Sequence, residues 1–169
     1  MSALDKEIRS QESLFLSRVP QSQALHERAS LTIPGGVPSS WASSRPVPVW
    51  VSHGEGAHVW DVDGNKYIDF HAGYGANIVG HANPAIVRAV QDRVTKGTHF
   101  AQPTPDSIVV AEDLARRFGL PQWRFCNSGT EATMDAVHLM RTVTGRDLIV
   151  KVEGSYNGHH DSVAISIFR

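Results

Sequence analysis

A single cysteine, Cys126, stands among 169 residues, so no internal disulfide can form and a reducing, cytoplasmic setting is the default expectation. Long apolar runs are missing too. Nothing near the N-terminus has the length of a signal-peptide core or a membrane span. No block of basic residues occurs and the formal net charge is −1, which argues against nucleic acid or a membrane surface as a partner. Neither a G-x-x-x-x-G-K-[S/T] nor a G-x-G-x-x-G motif is present, so a nucleotide phosphate is disfavoured relative to a compact phosphate monoester. Metal-ligand spacing is also lacking. There are nine histidines, but in the one adjacent cluster, His159-His160-Asp161, successive side chains diverge in direction, so no metal is expected.

What is present describes an ordinary globular chain, 41% hydrophobic and 20% charged, with enough apolar residues to bury a core. Its organising stretch is Arg124-Phe125-Cys126-Asn127-Ser128-Gly129-Thr130-Glu131-Ala132. An apolar strand there stops at a small polar turn and restarts as a helix. The first N–H groups of a helix have no internal partner and its dipole places partial positive charge there, so Ser128, Gly129 and Thr130 can surround a phosphate with donors. Gly129 permits close backbone approach. An ordinary serine-capped turn is the competing reading. Glu131 is read as a structural carboxylate, since like charge beside a dianion is unfavourable, and Cys126 as a small buried strand residue.

The helix is expected over about residues 130–144, with Ala132, Ala136, Met140 and Val143 apolar and Gly145 as a left-handed cap. A second strand, Asp147 to Val152, is nearly continuous in apolar character, as a buried parallel strand should be. Together they form a βαβ unit. Beyond it lies Glu153-Gly154-Ser155-Tyr156-Asn157-Gly158-His159-His160-Asp161. Ligands of parallel sheets bind outside the carboxyl ends of the strands, so this loop and the Ser128 turn should lie side by side and hold a flat, phosphorylated, aromatic ligand.

Upstream, residues 1 to about 31 read as two short helices broken at Pro20. Ile33-Pro34-Gly35-Gly36-Val37-Pro38-Ser39-Ser40-Trp41 is an irregular loop, either a pocket wall including Trp41 or a linker. From Val47 to Phe70 the pattern is an antiparallel meander, with Asp63-Gly64 as a hairpin signal. Gly73-Tyr74-Gly75-Ala76-Asn77 presents one aromatic. Asn83-Pro84 opens a helix whose stripe is Ile86, Val87, Val90 and Val94, and Thr104-Pro105 opens another that stops at Gly119.

Asn127-Ser128-Gly129-Thr130-Glu131-Ala132, Gly154-Ser155-Tyr156-Asn157-Gly158-His159 and Asp61-Val62-Asp63-Gly64-Asn65-Lys66-Tyr67-Ile68-Asp69 together resemble the class III pyridoxal-phosphate (PLP) aminotransferases, with the glutamate-1-semialdehyde aminomutases and their aminotransferase relatives nearest. The resemblance runs from about Leu25 onward. It implies an α/β, PLP-dependent transferase fold of type I, with an antiparallel small-domain meander and the first βαβ units of a large, mostly parallel sheet. The expected division is 1–45, a helical arm and pocket loop; 46–96, the meander and helix; and 97–169, the start of the cofactor domain.

The implied chemistry is amino-group transfer from an amino acid or amine to an oxo-acid on PLP, which acts as electron sink while the protein orients it. Ser128, Gly129 and Thr130 are expected on the phosphate, Tyr156 on the ring with Asn157 beside it, and Tyr74 and Trp41 at the substrate pocket. A buried structural tyrosine is the alternative for Tyr74. A homodimer is implied, with the N-terminal helix on the partner. Two features depart from the family. Asn157 stands where members commonly carry His, and Ser40, Trp41 and Ala42 stand where the aminomutases carry an arginine for the substrate carboxylate. Aminotransferase is therefore the expectation, with an aminomutase-type isomerase or a non-catalytic binding module as alternatives. The family's Schiff-base lysine and the acid facing the pyridine nitrogen lie beyond the position matching Arg169, so the chain reads as an N-terminal portion without its catalytic lysine.

Overall fold

The computed structural model describes residues 2–166. The chain folds into two compact units, Met1–His99 and Phe100–Arg169.

In the first unit, helix α1 (Ala3–Arg18) starts from a capping box between Ser2 and Asp5, which satisfies two otherwise orphaned N–H groups. Pro20 ends the first helical run and opens α2 (Pro20–Ser30), because a proline cannot donate within a helix yet suits its first position. No local side chain caps α2. The cap comes from 42 residues away, where Asp63 accepts from Gln21 N at 2.7 Å and from Ser22 N at 3.1 Å. The Ser22 hydroxyl also donates to Asp63 and accepts from Trp50 N. An anion at a helix N-terminus is favourable through both the dipole and the free donors, so the meander's turn seats the helical arm.

That turn belongs to a three-stranded antiparallel sheet, β1 (Val51–Glu55), β2 (His58–Asp61) and β3 (Lys66–Ile68), in order β1-β2-β3. Trp60 pairs with His53 on one side and Lys66 on the other, and the register shifts between Val51 and His53. The His53 ring stacks on Trp60 with centroids 4.8 Å apart, and Lys66 Nζ lies 5.1 Å from the Trp60 ring centre. Asp61, only 2% exposed, accepts from Asp63 N, Asn65 N, the Asn65 amide and the Tyr67 hydroxyl. A buried carboxylate so fully bonded fixes the turn rather than straining it. Helix α3 (Pro84–Val94) follows, with Asn83 Oδ1 accepting from Ala85 N.

The second unit holds α4 (Pro105–Phe118), closed by left-handed Gly119, and α5 (Gly129–Thr144), closed by left-handed Gly145. Helix α5 starts one residue earlier than the sequence suggests. The stretches expected as strands, Arg124–Cys126 and Asp147–Val152, join no ladder among the described residues. A strand exists through its hydrogen-bonded neighbours, and two parallel strands joined by a crossover helix need not be each other's neighbours. Leu148, Val150 and Val152 are accordingly 94%, 98% and 77% exposed.

Other burial expectations are corrected for the same reason. The α3 stripe of Ile86, Val87, Val90 and Val94, and Met140 and Val143 on α5, lie exposed, and only Val137 of α5 is buried. Cys126 is exposed, not buried. Ile167 and Phe168, the end of the apolar segment that begins at Val163, lie outside the described residues.

Candidate functional site

Helix α5 begins with a reciprocal cap. Ser128 is the N-cap and its Oγ accepts from Glu131 N at 3.2 Å, while Glu131 reaches back to Asn127 N at 2.6 Å. Glu131 is thus occupied as a structural carboxylate. This reciprocal capping leaves the Gly129 and Thr130 N–H groups without a partner among the described residues, pointing out of the helix where the dipole is positive. A Cβ built on Gly129 meets nothing within 4 Å, so the space before the helix is open.

The loop after residue 152 closes against this turn. Gly158, with φ +113°, lies so close to α5 that an added Cβ would sit 2.9 Å from Thr133 Oγ1 and 3.1 Å from Thr130 Cα. Only glycine fits. His159 N donates to Thr130 Oγ1 at 3.1 Å, and His160 Nε2 lies 3.3 Å from Thr133 Oγ1. Thr130 Oγ1 accepts that bond, so its hydroxyl hydrogen stays available to a ligand. Ser128, Gly129 and Thr130 thus open α5, and the loop that carries Tyr156 and Asn157 reaches Thr130 and Thr133 through Gly158, His159 and His160.

Tyr156 is half exposed, at 54%. Asn157 is exposed, its Oδ1 2.9 Å from Ser155 Oγ, which also donates to Val152 O. Thr133 escapes a motif reading, and His160 enters one only within the histidine pair and the loop, not as a partner of α5. The signal for Thr133 is its spacing, one turn after Thr130 on the same helix face.

In the other unit Tyr74 and Trp41 meet each other. Their rings are edge-on at 6.1 Å, and the Tyr74 hydroxyl is 3.5 Å from Trp41 O. His71, which the sequence did not single out, packs against Tyr74 at 4.1 Å, and its Nδ1 accepts from Tyr74 N at 3.3 Å. The backbone here is unusual, with Ala72, Gly73, Tyr74 and Gly75 at φ of 46°, 58°, 59° and 83°. Positive φ at two non-glycine residues is costly and is retained where the surroundings impose it, often at functional sites.

The loop is held at its base by Asp69, which accepts from His71 N and Ala72 N and pairs with His81 Nε2 at 2.7 Å. Those Ala72 and His81 bonds hold the Asp69 carboxyl below the usual carboxylate range. Near α5, local desolvation and the Asp135 and Glu131 carboxylates push the Cys126 thiol up, so it is a poor nucleophile at neutral pH. No group of three or more His, Cys, Asp or Glu among the described residues could hold a metal ion.

Residues 40–167 match the family described as aminotransferase class-III. The chain belongs to the class-III aminotransferase family. It is 40% identical over 159 residues to a glutamate-1-semialdehyde 2,1-aminomutase of Methanothrix thermoacetophila, covering 94% of this chain and 37% of that protein. Among solved structures it is similar to an omega-transaminase from Sphaerobacter thermophilus, with TM-score 0.84 and 41% identity over 86% of this chain and 34% of the other. A structure described as a transaminase with PLP bound gives TM-score 0.85 and 42% identity, covering 88% of this chain and 35% of that one. The fold is thus the α/β fold of the PLP-dependent transferases, type I. The chain spans about a third of the curated relatives' length, 37% of the first. No helix among the described residues is long and apolar enough to cross a membrane.

Proposed function

We propose that this class-III family chain supplies the phosphate-binding and ring-facing part of a PLP site in a cytoplasmic aminotransferase, which moves an amino group from an amino acid or amine to an oxo-acid. The observation that carries the reading is the packing of the Gly158 loop onto the open, donor-rich start of α5. The Gly129 and Thr130 N–H groups and the Ser128 and Thr130 hydroxyls would hold the phosphate, a compact dianion suited to that dipole end. Tyr156 would face the pyridine ring and the Asn157 amide would flank it. Bound there, PLP supplies the electron sink that the side chains lack. Tyr74 and Trp41 would wall the substrate pocket.

The catalytic lysine is assigned to none of the four in this chain, and the working unit is taken to be a homodimer that uses the exposed Leu4, Ile8 and Leu14 of α1. Residues 1–45, 46–96 and 97–169 would then serve as arm, small domain and start of the cofactor domain. An aminomutase-type isomerase is the second reading, favoured by the identity to a glutamate-1-semialdehyde 2,1-aminomutase. Incubating the working enzyme, this chain together with the part that supplies the catalytic lysine, with PLP and a panel of amino donors and oxo-acids, against glutamate-1-semialdehyde, tests both. Amino transfer between separate molecules by a sedimenting dimer is the expected result. Isomerisation of the semialdehyde alone would favour the second reading, and neither activity would sink the proposal.

A further inference from the structure

We infer that Lys151 is a positioning residue, closing the 152–166 loop at its neck and so fixing Tyr156 against the start of α5. The inference rests on the cofactor reading above. Lys151 interrupts an apolar stretch whose neighbours Val150 and Val152 face outward, exposed, while Lys151 itself is half-buried. Its Nζ donates to Val163 O at 3.0 Å and to Ile165 O at 2.7 Å. A lysine offers three donors and no acceptor, so two converging backbone carbonyls suit it, and charge-assisted bonds of this kind are stronger than neutral ones.

The rest of the loop is tied in series with that neck. Gly154 N donates to Ser166 O at 3.1 Å just above it. Val163, only 4% exposed, and Ala164 both donate to His160 O. Arg141 of α5 reaches Asp147 O and Ser162 Oγ at 3.0 and 3.3 Å. The tip then lands on Thr130 and Thr133 through Gly158, His159 and His160. The result is a compact loop with its ends held together. Tyr156 sits between a neck bound by Lys151 and a tip bound by α5, so losing the neck frees the ring from one side. The same two bonds occupy the amine of the lysine that stands nearest in sequence to Tyr156.

The test uses the intact protein with Lys151→Met and Lys151→Arg, and two readouts. In cofactor-free protein, hydrogen exchange at Gly154, Val163 and Ala164 should quicken about tenfold in Lys151→Met, as expected when donors to two carbonyls are removed. PLP affinity should fall about tenfold with a weakened circular-dichroism band of the bound cofactor, while Lys151→Arg, which still presents several donors, should restore both to near the parent values. Unchanged exchange, or quickened exchange with parent PLP affinity, would overturn the positioning role. If the parent protein binds no PLP, the cofactor reading fails and takes this role with it, an outcome recognisable without any variant.

Discussion

Gly129 and Tyr156 can be tested separately because they answer to different physics. Gly129 is helical, and a side chain there would enter open space, so Gly129→Leu should keep the fold and its melting temperature while filling the volume an anion needs. PLP affinity measured by cofactor fluorescence should fall at least about tenfold, the equivalent of one hydrogen bond to a charged group. For Tyr156, ring stacking contributes about 0.5–1.5 kcal/mol beyond area burial, so Tyr156→Ala should weaken PLP binding up to about tenfold and Tyr156→Phe hardly at all. Equal losses in both variants would move the role from the ring to the hydroxyl. These residues stand out in the sequence as candidates because each announces itself locally, through a cap, a glycine or a lone aromatic. Thr133, His71 and the contact of His160 with Thr133 do not, since nothing in their immediate neighbours says what will pack on them. Cys126 was misread because its apolar surroundings in sequence are not covered in space.

Helix limits were similarly legible wherever a cap lies next to its helix, as at Asn83-Pro84, Thr104-Pro105, Gly119 and Gly145. The cap of α2 was not, because Asp63 arrives from the β2–β3 turn, and the strand-like segments were not, because ladder partners are a non-local fact. The β2–β3 element also has a pH signature. Burial opposes charge on Asp61, yet the Asn65 amide, the Tyr67 hydroxyl and two backbone N–H groups outweigh it and hold the carboxyl below the usual range. Its contribution to stability is therefore present above about pH 4, the unfolded value, and is lost as pH falls through the lower folded value. Burial and the bond to Asp61 push the Tyr67 phenol up to about 12. That contribution is complete below about pH 10 and disappears as pH rises from there towards 12. Thermal melts of the protein and of Tyr67→Phe across pH 8 to 12 check it. The parent should lose stability more steeply than the variant above pH 10, and parallel curves would show that the Asp61–Tyr67 bond does not couple to folding.

At the scale of the whole molecule, the described residues bury few large apolar side chains and leave Leu148, Val150 and Val152 and the apolar faces of α3, α4 and α5 in solvent. A chain spanning about a third of the relatives' length, 37% of the first, carries one wall of the proposed site, and the placement of its lysines bears on what that wall can do. Lys6, Lys66 and Lys96 are exposed in the unit Met1–His99, and Lys66 lies over the Trp60 ring. Lys151 stands nearest in sequence to Tyr156, but its amine donates to Val163 O and Ile165 O, and covalent attachment would cost both bonds and leave two carbonyls without those donors. Mixing the 169-residue chain with PLP and borohydride should therefore give no stoichiometric label at any one lysine, and no amino-acid-dependent change in the cofactor's visible spectrum. Peptide mass spectrometry locates any label. Stoichiometric trapping at Lys151 with turnover would make the neck of the loop the catalytic attachment point and overturn its assignment as a clamp.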